Sequence, residues 1–151
     1  MATVGEICMR DPVIALRETT AAAAAKIMRE NHVGSVIVVD RMDEGLRLPV
    51  GIVTDRDLVV EVLATGLDPE TITVGDIMDP SLVTIAARND ATSAVHLMRV
   101  KAVRRLPVVN DEGRLLGLVS FDDLLDVITE ELQNLAETSR LEQSREARQR
   151  R

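Results

Sequence analysis

The chain has 151 residues, enough for one compact domain or two small interlocked ones with a real core. Its formal net charge of −7 argues against general affinity for nucleic-acid phosphates or anionic lipid, and with no Trp or Tyr and a single Phe it lacks the aromatic platforms on which single strands stack. No window reaches the length of a membrane span, no basic segment followed by an apolar stretch opens the chain, and one cysteine, Cys8, cannot form an internal disulfide; the expectation is a soluble, cytoplasmic protein with no nucleic-acid or membrane partner.

In chain order, a first strand around Ile14 precedes a helix whose apolar residues Ala21, Ala24, Ala25 and Met28 recur at i, i+3, i+4 and i+7, with Thr19 or Thr20 placed to cap it. The β-branched stretch 36–39 and the stretch 50–53 read as two buried antiparallel strands joined by a polar turn over 41–49. Leu58, Val59, Val62 and Leu63 mark a second helix. The Gly- and Pro-containing segment 64–70 carries no periodicity and reads as a connector.

The same order then recurs. Adding seventy carries Val4, Gly5 and Ile7 onto Val74, Gly75 and Ile77, Met28 and Arg29 onto Met98 and Arg99, and Val38 and Val39 onto Val108 and Val109; past Asp40 the offset falls by four, and Gly51, Val53 and Asp57 land on Gly117, Val119 and Asp123. The helix stripe becomes Ala91, Ala94, Val95 and Met98 behind Asn89 or Asp90, the strands 106–109 and 115–119, and the last helix Leu124, Leu125, Ile128 and Leu132. A duplication this regular implies units that cannot bury their apolar faces alone. Cys8 falls opposite Met78, which fits a small buried thiol in a core slot. From Gln133 onward the stripe fades into a tail with five Arg against three Glu, net +2 where the rest carries −9; it reads as a helical or frayed extension, either solvated or docked on an acidic surface of a partner or a second subunit.

Each copy closes on one phrase, Gly51-Ile52-Val53-Thr54-Asp55-Arg56-Asp57 and Gly117-Leu118-Val119-Ser120-Phe121-Asp122-Asp123. Thr54-x-x-Asp57 and Ser120-x-x-Asp123 have the spacing of a capping box at a strand-to-helix turn. A carboxylate at such a mouth can also accept both hydroxyls of a ribose, and the free amides of the first turn favour polar or anionic groups. Across the unit, Gly34 permits close backbone approach, while Arg104 and Arg105 supply forked donors suited to phosphate. Neither His32 nor His96 is repeated, no two metal-ligand residues show a recognised spacing, and the adjacent acids Asp122 and Asp123 do not face together on a helix, so neither catalysis nor a resident metal is expected.

With their order, spacing and duplication, these phrases closely resemble the cystathionine beta-synthase (CBS) domain pair, or Bateman module, over about Val4 to Leu132. The resemblance implies an α+β fold of two tandem CBS motifs, each roughly β-α-β-β-α, packed around a pseudo-twofold axis, with boundaries at 4–66, a linker 67–73, 74–132 and a charged tail 133–151. It implies clefts for an adenosine-type ligand such as AMP, ADP, ATP, S-adenosylmethionine or NAD, with Asp57 and Asp123 on the ribose and Thr54 and Ser120 beside them. Ile14 and Thr84 would line the adenine pocket with Gly34, Ser35, Val36 and Ile37, and with Arg104, Arg105, Leu106 and Pro107; Arg56, Arg104 and Arg105 would favour a charged nucleotide, best in the second site with its double Arg. Without aromatic stacking, micromolar affinity is expected, about −8 kcal/mol. A stand-alone sensor acting as a flat homodimer follows, with no required cofactor, Mg²⁺ only as a companion of ATP, and an unidentified client protein. The competing expectation is a ligand-free interaction module working through its dimer surface or tail.

Overall fold

The computed structural model describes residues 2–41, 45 and 47–150. The first repeat runs α1 (Val4–Ile7), β1 (Met9–Arg10), β2 (Ile14–Ala15), α2 (Ala21–Asn31), β3 (Ser35–Arg41), β4 (Arg47–Thr54) and α3 (Asp55–Asp57), which continues as a π-helical segment over Leu58–Leu63. The second runs α4 (Val74–Ile77), β5 (Ile85–Ala86), α5 (Ala91–Lys101), β6 (Arg105–Val109), β7 (Leu115–Ser120) and α6 (Phe121–Gln149). Thr20 and Asp90 are the caps of α2 and α5, each side chain accepting a backbone N–H of the first turn. Both helices end alike, on His32 and Ala102 at φ 54°, a left-handed turn that returns the chain to the sheet. Ala21, Ala24 and Met28, and Ala91, Ala94 and Met98, are buried as the helical period requires. Ala25 and Val95, expected on the same stripe, are exposed and lie on groove walls.

In each repeat the central strand is parallel to the short one before it and antiparallel to the one after it: Ile14 faces Ile37 and Val36 faces Val53, and likewise Ile85 faces Val108 and Leu106 faces Val119. The two sheets differ at one edge, because β1 of the first repeat crosses over and pairs with β7 of the second, Met9 opposite Leu118, giving sheet orders β1-β7-β6-β5 and β2-β3-β4. The exchange is reciprocal in the leading helices. Val4 and Cys8 sit in the core of the second repeat with Ile85, Ala94, Met98 and Leu106, while Val74, Ile77 and Met78 pack into the core of the first with Ala24, Met28, Val36 and Val53. Backbone hydrogen bonds fix both crossings, from Val4 to Asn89 at 2.7 Å and Gly5 to Ala87 at 2.9 Å, and from Val74 to Thr19 at 2.8 Å and Gly75 to Arg17 at 3.0 Å. A third cluster, Ile37, Val39 and Leu115 with Ile14 and Leu118 against it, closes the space between the sheets. Each repeat therefore completes its core only with a segment of the other.

Three local readings are corrected. The second helix of the first repeat is π-wound rather than α, leaving Val59 and Leu63 exposed and only Val62 buried. Arg47, Leu48 and Pro49, expected in the turn, already belong to β4, and the rest of that turn, residues 42–44 and 46, lies outside the described residues. The tail does not fray at Gln133: α6 is one continuous helix of 29 residues.

The crossings also carry exposed carboxylates. The backbone N–H of Thr73 donates into Asp76, that of Ser93 into Asp90, and the Arg17 guanidinium into Asp40 at 2.8 Å, each holding its carboxyl below the usual range. A carboxyl with a lowered folded pKa contributes stability above its unfolded value, near 3.9, and loses it as pH falls through the folded value. The urea midpoint is expected to hold from pH 7 to 5 and to decline steadily below about pH 4; a midpoint that rose over that acid range would contradict the assignment.

Candidate functional site

The two closing phrases fold identically. At the end of β4, Thr54 leaves the sheet in extended conformation; its hydroxyl accepts the Asp57 N–H at 3.1 Å and Asp57 Oδ2 accepts the Thr54 N–H at 2.9 Å. At the end of β7, Ser120 and Asp123 repeat this at 3.1 and 2.9 Å. Capping thus engages one oxygen of each carboxylate. The other, Oδ1, accepts no hydrogen bond from the described residues, and both aspartates are half-buried at the head of a helix, where the positive end of the peptide dipoles favours an anion or a polar hydroxyl. One oxygen is structural and one is free for a ligand.

Beside each phrase lies the start of the central strand. Ser35 pairs with Thr54 and Arg105 with Ser120, and the corner is locked by Asp55 N–H to Gly34 O at 2.9 Å and by Phe121 N–H to Arg104 O at 2.7 Å. Strand alternation sorts the remaining residues. Val36 and Leu106, both expected to line the pocket, are fully buried in the helix-side cores of their own repeats. Ile37 and Ile14 face each other in the cluster between the sheets, and Pro107, the counterpart of Ile37, pairs with Leu118 of the same cluster. Thr84 precedes β5 by one residue instead of lying on it, and Arg56 is exposed on α3.

The two arginines part company. Arg104 is exposed and stacks over the Phe121 ring at 4.5 Å from the centroid, with its Nη2 4.0 Å from Asp122 Oδ1. Arg105 reaches across to the first repeat: a Cβ built on Gly34 would lie 3.5 Å from Arg105 Nη2 and 3.2 Å from Asp55 Oδ2. Consecutive residues entering a strand project to opposite sides, and the two arginines, expected to act together on a phosphate in the second site, lie against different neighbours. Instead, the corner of the first repeat holds Thr54, Asp57, the bare Gly34 backbone and a guanidinium lent by the second. Asp55 was overlooked in the sequence, although its alignment with Phe121 already marked the two corners as unequal.

Among the described residues no three of His, Cys, Asp and Glu gather as a metal site, and no helix is long and apolar enough to cross a membrane. Cys8 is buried against Gly117, and burial pushes its thiol pKa up, away from thiolate chemistry.

A duplicated α+β unit whose halves exchange their leading segments and repeat one capped aspartate corner defines a class of tandem-motif module. The model of the CBS domain matches residues 4–64 and again 74–130, and the chain belongs to the CBS domain family as a pair of motifs. It is 40% identical over 125 residues to an uncharacterized protein of Methanopyrus kandleri, covering 83% of this chain and 62% of that one. It is 38% identical over 105 residues to Hypoxic response protein 1 of Mycobacterium tuberculosis, covering 70% of each. Among solved structures, Hypoxic Response Protein I with two coordinated zinc ions superposes with a TM-score of 0.71 at 30% identity over 83% of this chain and 98% of that one. The CBS domain pair of protein MJ0100, in complex with 5′-methylthioadenosine and S-adenosyl-L-methionine, gives 0.74 at 24% identity over 87% and 98%. CBSX2 in complex with AMP gives 0.70 at 24% over 86% and 98%.

Proposed function

We propose that this protein is a regulatory module that binds an adenosine-type ligand in the clefts between its two motifs and catalyses nothing. The observation that carries this reading is the free Oδ1 of Asp57 and of Asp123, each held by a capping box beside an open strand-to-helix corner. A carboxylate fixed in this way presents one acceptor edge to a ribose, the hydroxyl of Thr54 or Ser120 stands next to it, and the aliphatic residues between the sheets provide an apolar wall for adenine. Domain pairs of the same fold are solved with AMP and with S-adenosyl-L-methionine. At 24% identity that likeness speaks for the fold, so the ligand reading rests on the residues of this chain.

The module acts as a homodimer in a reducing cytoplasm. Two equivalent apolar grooves support self-association, one of about 440 Å³ between α5 and α6 and one of about 500 Å³ between α2 and the π-helical segment. Mg²⁺ enters only with ATP. Calorimetric titration against AMP, ATP, S-adenosylmethionine and NAD tests the reading: at least one of the four is expected to bind near the micromolar range, without turnover. No heat from any of them, from folded protein, would reduce both aspartate phrases to helix caps and favour an interaction module.

The divergence of the arginines gives a sharper expectation. Arg105→Ala removes the guanidinium beside Gly34 and should weaken a phosphate-bearing ligand about tenfold or more, as loss of one charge-assisted hydrogen bond does, while changing adenosine little. Arg104→Ala should stay within about twofold, since Arg104 is engaged with Phe121 and Asp122 on the groove side. Equal losses in both variants would contradict this assignment.

A further inference from the structure

Helix α6 is about 43 Å long, yet only its first turns touch the domain: every residue from 129 to 150 is exposed. Most helical stability in proteins comes from packing of an amphipathic face, and this exposed segment has no such packing unless something covers it. Its apolar residues are spaced for such a cover. Leu125, Ile128, Leu132 and Leu135 follow a 3-4-3 spacing, the seam of a two-helix contact, and Leu132 and Leu135 are 62% and 68% exposed. The seam runs without interruption out of the apolar groove whose walls include Val95, Met98, Phe121 and Leu125.

Charge says what covers it. Between Phe121 and Ser139 the helix carries six acids, Asp122, Asp123, Asp126, Glu130, Glu131 and Glu137, and no base; from Arg140 to Arg150 it carries four Arg against two Glu. A parallel copy would set acid on acid and base on base. An antiparallel copy sets each basic end on the other's acidic half. We propose that α6 pairs antiparallel with α6 of a second copy of this chain, Leu132 of each facing Leu135 of the other. In that register Arg145 lies opposite Asp122, Glu142 opposite Leu125, and Leu141 beside the mouth of the α5/α6 groove. The second repeats of the two copies then lie side by side, which fixes the orientation of the dimer. The inference rests on the homodimer proposed above.

Two measurements on the full-length chain test it, in a Cys8→Ala background. When Glu142→Cys and Leu125→Cys chains are mixed and oxidised, a disulfide-linked mixed dimer is expected, and Glu142→Cys alone should not link to itself, because antiparallel pairing sets its two copies about 25 Å apart. In sedimentation, Leu132→Lys with Leu135→Lys should weaken self-association at least about a hundredfold while the domain still unfolds in one cooperative transition with its circular dichroism spectrum retained, since both side chains are exposed. Self-linking by Glu142→Cys overturns the orientation. A chain that remains a dimer after both Lys substitutions, with no mixed disulfide, overturns the helix pairing and leaves the homodimer standing; a wild-type chain that sediments as a monomer overturns both.

Discussion

Gly117→Ala is expected to destabilise the fold by about 3 kcal/mol, a larger loss than an exposed substitution brings, because the space for a side chain is already taken by the other repeat. An added Cβ would lie 2.5 Å from the Met9 carbonyl oxygen and 2.7 Å from Cys8 Sγ. The first obstacle is backbone, so the strain is relieved only if β1 withdraws from β7, giving up the pairing of Met9 with Leu118 and exposing Val4 and Cys8. Gly51 is the equivalent position on the first repeat, but there the obstacle is the Met78 side chain, whose Sδ and Cγ crowd the added Cβ. Gly51→Ala should therefore cost less, about 1–2 kcal/mol, and the cost should shrink in a Met78→Ala background, which removes the Sδ and Cγ it meets and leaves only the Met78 Cβ, 3.0 Å away. Urea midpoints of the two single variants and the double would show a favourable coupling of about 1 kcal/mol. Strict additivity of Gly51→Ala and Met78→Ala, or a Gly117→Ala chain as stable as the parent, would mean that the leading segments are not locked onto the opposite repeat.

That exchange was the part of the architecture hardest to see in the residues. The duplication, its register and the central strands were legible because seventy-residue spacing and β-branched runs are local and repeated. The leading segments are too short for any periodicity, and nothing in Val4, Gly5 and Ile7 says which repeat they join. A signal did exist: Thr3-x-x-Glu6 and Thr73-x-x-Asp76 carry the same capping signature as Thr54-x-x-Asp57, and both form capping boxes in the structure. Among the described residues four capping boxes are formed, two per repeat, at Thr3, Thr54, Thr73 and Ser120.

The site was legible to the level of phrases but not of directions. Thr54, Asp57, Ser120 and Asp123 occupy one kind of corner, as their spacing implied. Runs such as Ser35-Val36-Ile37 and Arg104-Arg105-Leu106 were read as pocket linings in bulk, whereas a strand turns alternate residues to opposite faces: Val36 and Leu106 go to the cores, Ile37 to the space between the sheets, and Arg104 and Arg105 to different neighbours. Fading hydrophobicity left the tail open as helical or frayed, and the continuous helix agrees with a segment that contains neither Gly nor Pro to end it.

The second large effect falls on ligand binding and must be separated from capping. Asp57→Ala and Asp123→Ala each remove a cap, at about 1 kcal/mol of stability, together with the proposed ribose acceptor, so a loss of binding alone would be ambiguous. Asparagine resolves it. The amide oxygen of Asp57→Asn or Asp123→Asn can still accept the Thr54 or Ser120 N–H, preserving the corner, while the NH₂ takes the place of the free Oδ1 and offers a ribose hydroxyl a donor where it needs an acceptor. Loss of a hydrogen bond to a charged group predicts about a 10- to 100-fold drop in affinity for the cleft concerned, with little change in unfolding.

The most direct test is calorimetric stoichiometry with AMP for the parent chain and for Asp57→Asn, Asp123→Asn and the double variant. Binding by the parent, lost cleft by cleft in the single variants and abolished in the double while its urea midpoint stays near the parental value, is the predicted result. Unchanged AMP binding in a folded double variant would contradict the account, since the aspartate corners would then be caps and nothing more.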